Sequence, residues 1–283
     1  MQHFAIIGDP VEHSLSPALH QYLFDQFDIS ASYDKIHVRN QNDLKDVIWR
    51  LRSGKLSGIN ITAPWKSAII PRLDELTDAA RSVHAVNTVL PRDGILAGHN
   101  TDLTGFRLTL RKLLGGNHPE SVAIIGAGGS AASVLAVCMK EKFENIRLYN
   151  RTRENATTML ERLGTNTTSS VSVHELTAES IDRMYLETDL VINTLPEQAR
   201  KLFHPDSVPV LMRTGWYYDI LYHTDPNGYR AYLAGEHVRT MDGLDMLILQ
   251  GIASEEYWFN RSLLDRVDLI DLRGHILKMN EAN

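Results

Sequence analysis

Val122-Ala123-Ile124-Ile125-Gly126-Ala127-Gly128-Gly129-Ser130-Ala131 decides the fold of this chain. An apolar, β-branched run leads straight into glycines and then into the small-residue stretch Ala131 to Lys140, which reads as a helix. Strand, loop and helix stand in the order that a dinucleotide-binding unit requires, and the loop matches Gly-x-Gly-x-x-Gly/Ala with Ala131 in third place. The first two glycines allow a tight turn and close approach of the backbone, and the helix N-terminus offers N–H groups to a pyrophosphate. Gly126, Ala127, Gly128, Gly129, Ser130 and Ala131 are therefore candidate cofactor contacts. The plain alternative is a glycine-rich turn between tightly packed elements.

The next apolar run, Ile146 to Tyr149, ends in Asn150-Arg151-Thr152-Arg153, about 20 residues beyond the loop, where an NAD site places an acid for the ribose diol. No acid occurs there before Glu154. Arg151, with Asn150, Thr152 and Arg153 beside it, can instead neutralise and hydrogen-bond a 2′-phosphate, so NADP is the expected cofactor. The bland alternative is that these arginines are a solvated helix start.

Outward from this core, strands and helices alternate in both directions. Upstream, residues 3 to 8 read as a strand, Ser16-Pro17 as an N-cap and first helical residue, and Tyr33 to Val38 as a second strand. A helix over Asn42 to Arg52 leads to a strand over Leu56 to Thr62. Helical stretches to Val83, β-like runs at Ala85 to Leu90 and Ile95 to His99, and a helix over Thr101 to Leu114 follow. Downstream, Leu190 to Asn193 is a further strand and Gly243 to Leu277 is helical by pattern. The expectation is an α/β protein of two domains built on parallel β-α-β units. Residues 1–102 with 243–283 form the first, and 103–242 form a Rossmann-type domain, with the C-terminal helices returning to the first domain.

The 283 residues carry a net charge of -6, which disfavours nucleic acid or an anionic membrane as a partner. No apolar run is long enough to span a bilayer, and the N-terminus lacks the pattern of a signal peptide. Cys138, the single cysteine, lies among Val134, Leu135 and Val137 and is expected in the core, with the cytoplasm as the expected compartment. The 12 histidines form no metal-ligand spacing, so no metal is expected; His84, His99, His118 and His223 read as loop or strand-edge residues, and His13 as support for a ligand loop.

Two short segments carry the candidate chemistry. Lys66 closes Asn60-Ile61-Thr62-Ala63-Pro64-Trp65-Lys66, and Asp102 closes Gly98-His99-Asn100-Thr101-Asp102, both crowded with the Thr and Asn that hold a polyhydroxylated ligand. A buried amine beside a carboxylate can share a proton with it and do acid–base work on an alcohol. Taken singly, Lys66 also reads as a surface lysine after a turn and Asp102 as a helix cap. Ser14 and Ser16, two residues apart before a helix, can hold a carboxylate through hydroxyls at a helix N-terminus, although Ser16 as an N-cap needs no ligand to explain it.

Together these segments resemble the shikimate dehydrogenases, including the wider quinate/shikimate dehydrogenase group. The resemblance rests on His13-Ser14-Leu15-Ser16-Pro17, Asn60 to Lys66, Ala85-Val86-Asn87-Thr88, Asn100-Thr101-Asp102, Gly126 to Gly129, Asn150-Arg151-Thr152, and Gln250, in order along the chain. It implies that Ser14 and Ser16 bind the substrate carboxylate and that Thr62, Asn87, Asp102, Tyr222 and Gln250 contact substrate. It further implies Lys66 and Asp102 as the catalytic pair, and Asn193 and Gly243 beside the cofactor. The implied reaction is reversible NADPH-dependent reduction of 3-dehydroshikimate to shikimate, a step towards chorismate and the aromatic amino acids, in a cleft between substrate and NADP domains. A monomer or a homodimer is compatible with it.

Three segments depart from the family pattern: Asn193-Thr194-Leu195-Pro196-Glu197, Tyr222-His223-Thr224-Asp225-Pro226, and Asp245 in Gly243-Leu244-Asp245-Met246-Leu247. They leave open a relative that oxidises quinate or another cyclohexane-carboxylate, with NAD as its alternative cofactor, and a ligand-binding protein of the same fold without turnover.

Overall fold

The structure is a computed structural model and describes residues 1–164, 169–209, 212–222, 225 and 228–281. The chain divides into two compact units, Met1–Gly105 with Leu247–Asn283, and Phe106–Met246.

The first unit contains β1 (Gln2–Gly8), α1 (Ser16–Gln26), β2 (Ala31–His37), α2 (Gln41–Arg52), β3 (Gly58–Ile61) and the single turn α3 (Trp65–Ala68). It continues through β4 (Glu75–Leu76), α4 (Asp78–Val83), β5 (Thr88–Arg92), β6 (Ile95–His99) and the start of α5 (Asp102–Leu114). Its sheet order is β2-β1-β3-β5-β6-β4. The first three strands are parallel, as the alternating pattern predicts, but β5 and β6 are antiparallel neighbours, so the sheet is mixed. The reason is local: Asp93 and Gly94 both take positive φ, which folds β5 back on β6 as a hairpin instead of a helical crossover.

Strand β1 shows how the sequence builds two cores. Ala5 and Ile7 enter one cluster with Leu44, Val47 and Leu51 of α2, while Phe4 and Ile6 enter the opposite one with Phe24 and Trp258. A strand covered on both faces reads as a near-continuous apolar run. Truncating one of these side chains, as in Ile7→Ala, costs about 2–5 kcal/mol.

The second unit holds most of α5 and then β7 (Ser121–Ile125), α6 (Gly129–Lys140), β8 (Asn145–Asn150), α7 (Arg153–Leu163), β9 (Ser170–Glu175) and α8 (Ala178–Glu187). β10 (Leu190–Asn193), β11 (Trp216–Asp219), α9 (Tyr229–Gly235) and β12 (Arg239–Met241) complete it. The order β12-β11-β10-β7-β8-β9, all parallel, is the doubly wound arrangement that the glycine loop predicts. Cys138 is fully buried in α6, and burial pushes its thiol well above the ordinary range.

The C-terminal helical pattern is two helices, α10 (Leu244–Phe259) and α11 (Leu269–Glu281), separated by a 3₁₀ turn at Leu264–Arg266. Among the described residues no helix is long and apolar enough to cross a membrane.

Candidate active site

Lys66 is the second residue of α3. Two contacts fix its backbone: the Trp65 indole donates to the Val38 carbonyl at 2.7 Å, and the Val86 N–H donates to the Lys66 carbonyl at 2.8 Å. From there Lys66 Nζ reaches Asp102 Oδ2 at 2.6 Å, with side-chain exposures of 13% and 6%. Asp102 opens α5, where the helix N-terminus favours a carboxylate. Such a pair is a proton donor and acceptor held in fixed geometry and shielded from bulk water.

Asn87 supplies the second contact to Asp102. The Thr101 N–H donates to Asn87 Oδ1 at 2.8 Å, which fixes the orientation of the amide. Asn87 Nδ2 therefore points at Asp102 Oδ1 at 2.9 Å and at Gln250 Oε1 at 3.1 Å. Gln250, on α10, donates in turn to the Leu247 carbonyl at 2.8 Å. Lys66, Asn87, Asp102 and Gln250, widely separated along the chain, are thus one hydrogen-bonded group.

Beneath this group lies a layer of buried polar side chains. Asn60 Nδ2 donates to the Asn87 carbonyl at 3.2 Å and to Ser254 Oγ at 2.9 Å, while Asn60 Oδ1 accepts from the Tyr33 hydroxyl at 2.7 Å. Thr88 and Thr101 hydroxyls lie 3.0 and 3.1 Å from Ser254 Oγ. A satisfied buried network of this kind stiffens the groups above it. Tyr33, Thr88 and Ser254 are not among the site residues expected from the sequence, although Thr88 stands in the Ala85-Val86-Asn87-Thr88 motif. The signal for Ser254 is its place four residues after Gln250, on the same face of α10.

Ser14 and Ser16 form a separate pair. Ser14 Oγ accepts from the Ser16 N–H at 3.3 Å and donates to Ser16 Oγ at 3.1 Å. The expected role of Ser16 as N-cap is not found: α1 begins one residue earlier, with Leu15 in the cap position, and Ser14 makes the local turn instead. Ser16 is buried and Ser14 half-buried. Thr62 follows β3, its N–H bonded to the Ile7 carbonyl at 2.9 Å, and is half-buried. His13 is exposed beside Ser14.

In the second unit the glycine loop lies at the C-terminal end of β7. Gly126 has φ +111°, and a side chain there would stand 2.5 Å from Thr194 Oγ1, so only glycine fits. Gly128 precedes α6 in extended conformation, no side chain caps that helix, and a Cβ at Gly128 would meet nothing within 4 Å. An open, uncapped helix start behind a glycine turn fits a pyrophosphate. Ala131 is buried, which the close packing of helix on strand requires. At the end of β8, Asn150 Nδ2 holds the Thr152 carbonyl at 2.8 Å, and Arg151, Thr152 and Arg153 are exposed.

Two of the cofactor expectations turn out to have structural engagements as well. Asn193 is fully buried, donating to the Tyr217 hydroxyl at 3.1 Å and accepting from the Leu195 N–H at 3.1 Å. A Cβ on Gly243 would stand 2.0 Å from the Ile220 carbonyl oxygen, so close packing alone demands glycine there. Tyr222 follows β11 and is half-buried; His223, Thr224 and Pro226 lie outside the described residues. Asp245 pairs with Lys112 at 2.6 Å.

Comparison with known proteins gives two family matches: the shikimate dehydrogenase substrate binding domain over residues 6–89, and the saccharopine dehydrogenase NADP binding domain over residues 122–236. A shikimate dehydrogenase (NADP(+)) from Pelagibacter ubique is 40% identical over 153 residues, 54% of this chain and 57% of that relative. The corresponding protein of Desulfitobacterium hafniense is 32% identical over 262 residues, covering 91% of this chain and 92% of its own. Among solved structures, the shikimate 5-dehydrogenase of Thermus thermophilus, in complex with NADP(H) and shikimate, aligns with a TM-score of 0.78 at 26% identity, over 98% of this chain and 99% of that one. With 32% identity sustained over nine-tenths of both chains, and the substrate-binding-domain match at its N-terminal part, the chain belongs to the shikimate dehydrogenase family.

Proposed function

We propose that this protein is an NADP-dependent shikimate dehydrogenase that reversibly reduces 3-dehydroshikimate to shikimate, a step of chorismate and aromatic amino-acid biosynthesis. The observation that carries the reading is the 2.6 Å contact between Lys66 Nζ and Asp102 Oδ2, with Asn87 and Gln250 bonded around it. Reduction of a ketone to an alcohol needs one hydride on carbon and one proton on oxygen. The nicotinamide supplies the hydride when bound.

The proton comes from the Lys66–Asp102 pair. Lys66 Nζ gives a proton to the ketone oxygen during reduction and takes it back during oxidation, while Asp102 Oδ2 orients the amine and balances its charge. Asn87 keeps the Asp102 carboxylate from rotating. Thr62, Asn87, Asp102, Tyr222 and Gln250 are the groups we assign to substrate contact, Thr62, Asn87, Asp102 and Gln250 on the ring hydroxyls. The Ser14 and Ser16 hydroxyls at the start of α1 take the carboxylate. On the cofactor side we assign the pyrophosphate to residues 126–131 and the 2′-phosphate to Arg151, with Asn150, Thr152 and Arg153 beside it. Asn193 and Gly243 border the same site.

The test is formation of NADPH by the purified protein on addition of shikimate and NADP+, repeated with quinate and with NAD+. Shikimate with NADP+ is expected to give the highest kcat/KM. A preference for quinate overturns the substrate assignment, and binding of shikimate without turnover overturns the enzyme reading altogether.

A further inference from the structure

Arg200 is a buried charge that the proposed reaction does not use. It follows the short turn after β10, is only 7% exposed, and directs its whole guanidinium inward. Nε and Nη2 both donate to the Leu195 carbonyl, at 2.9 and 2.7 Å, and Nη1 donates to Asp219 Oδ2 at 2.6 Å. Asp219 is the last residue of β11; its other oxygen accepts from the Leu221 N–H at 2.9 Å. Arg230 Nη1 lies 3.8 Å from Asp219 Oδ2, a second and more distant cation on the same carboxylate.

The segment that Arg200 grips belongs to one of the three stretches in which this chain departs from the family pattern, Asn193-Thr194-Leu195-Pro196-Glu197. Its opposite side is fastened to the glycine loop: Thr194 Oγ1 donates to the Ile125 carbonyl at 2.6 Å and fills the space left by the missing Gly126 side chain. The ends of β10 and β11 are joined again by the Ile220 N–H to the Asn193 carbonyl at 3.0 Å, and the Gly243 N–H reaches the Leu221 carbonyl at 3.1 Å. Arg200 therefore adds a side-chain lock, beside the Asn193–Tyr217 bond, between the carboxyl ends of β10 and β11. In a doubly wound sheet those ends border the half of the dinucleotide crevice away from β8, where the adenosine ribose is read. A planar guanidinium does this by a fork of fixed donors that a lysine cannot reproduce.

We propose that Arg200, held by Asp219, is a positioning residue for the nicotinamide half of NADP: it fixes the Leu195 carbonyl and so preorganises the Asn193–Pro196 turn that lines that half. The proposal rests on the NADP reading and assigns no chemistry to Arg200 itself. A loosened turn has to be ordered at the moment of binding, and the affinity falls by that cost.

The test compares two probes by calorimetry. Adenosine 2′,5′-bisphosphate carries the adenosine and the 2′-phosphate without the nicotinamide; NADP+ carries both halves. In Arg200→Met the bisphosphate should bind as in the unsubstituted protein, while the dissociation constant for NADP+ rises by about tenfold, the scale of one well-ordered contact region. Arg200→Lys should recover little of the loss. Because Arg200→Met leaves the buried Asp219 carboxylate with only the more distant Arg230 as a cation, Arg200→Met/Asp219→Asn is measured in parallel; it keeps the acceptor for the Leu221 N–H and removes the weakly compensated charge. If the variants that fold bind NADP+ as tightly as before, or lose both probes equally, Arg200 is merely structural and the proposal falls. Failure of the unsubstituted protein to bind either probe is a separate result: it removes the NADP reading, and this proposal with it.

Discussion

Asn87 and Lys66 hold opposite oxygens of one carboxylate: Asn87 Nδ2 is 2.9 Å from Asp102 Oδ1, and Lys66 Nζ is 2.6 Å from Oδ2. In the proposed mechanism the amide therefore belongs to the acid–base apparatus without exchanging a proton. Asn87→Ala should leave Asp102 Oδ1 without its buried donor, at a cost of about 1–3 kcal/mol in transition-state stabilisation. The expected reading is a kcat/KM for shikimate lower by about 10- to 100-fold. An unchanged value would mean that Asp102 needs no orientation.

Lys66→Ala removes the proposed proton carrier and leaves the proposed carboxylate anchor intact. Turnover should fall by about 10²–10⁴-fold, the usual worth of a positioned general acid or base. The shikimate dissociation constant, measured by calorimetry, should change little. Loss of affinity with turnover preserved would make Lys66 a binding residue.

Arg151→Ala tests the cofactor preference. A charge-assisted contact to a phosphate is about twice as strong as a neutral one, and NAD lacks the phosphate. KM should therefore rise steeply for NADP+ and hardly at all for NAD+. Parallel increases would count against a 2′-phosphate contact at Arg151.

His99 makes stability depend on pH. Burial, without a neighbouring acid, pushes its imidazole from 6.5 down to about 4, while its Nδ1 lies 2.8 Å from the Thr77 hydroxyl and its ring stacks on Tyr257. The unfolded chain takes up a proton near 6.5 and the folded chain only near 4. The folded state is thus unaffected above the higher value and loses stability as pH falls through this window, by about 3 kcal/mol in all. Urea unfolding at a series of pH values should show this loss, and His99→Phe, which keeps the stacked ring, should shed much of it. Identical pH slopes in the two proteins would contradict the assignment.

What the sequence discloses here is governed by distance along the chain. Val122 to Ala131 is legible because strand, turn and helix are contiguous and each states its own requirement. Lys66 and Asp102 stand out through their neighbours, yet their contact spans 36 residues and no local pattern reports it. Tyr33 and Ser254 are harder still. One lies on a strand where an aromatic needs no explanation, and the other is bonded to Asn60 across 194 residues. The mixed first sheet escapes the alternating pattern because a two-residue turn at Asp93-Gly94 outweighs the βαβ rhythm preceding it. Strand β9 alternates, but with only Val171 and Val173 as apolar residues and neither of them fully buried, and β12 has three residues, so each gives too short a hydrophobic signal to stand out.

The hydrogen bond from Val86 to the Lys66 carbonyl has a consequence for how this molecule can vary. It staples shut the base of the excursion from Ser67 to Ala85, so the address of the lysine is set by the residues beside Asn87 and not by the helices that follow it. Doubling the length of a loop whose ends are already fixed costs only about 0.6 kcal/mol. Insertions and deletions at the exposed turns of that excursion should therefore be absorbed as architecture, with the chemistry at its base left unaltered.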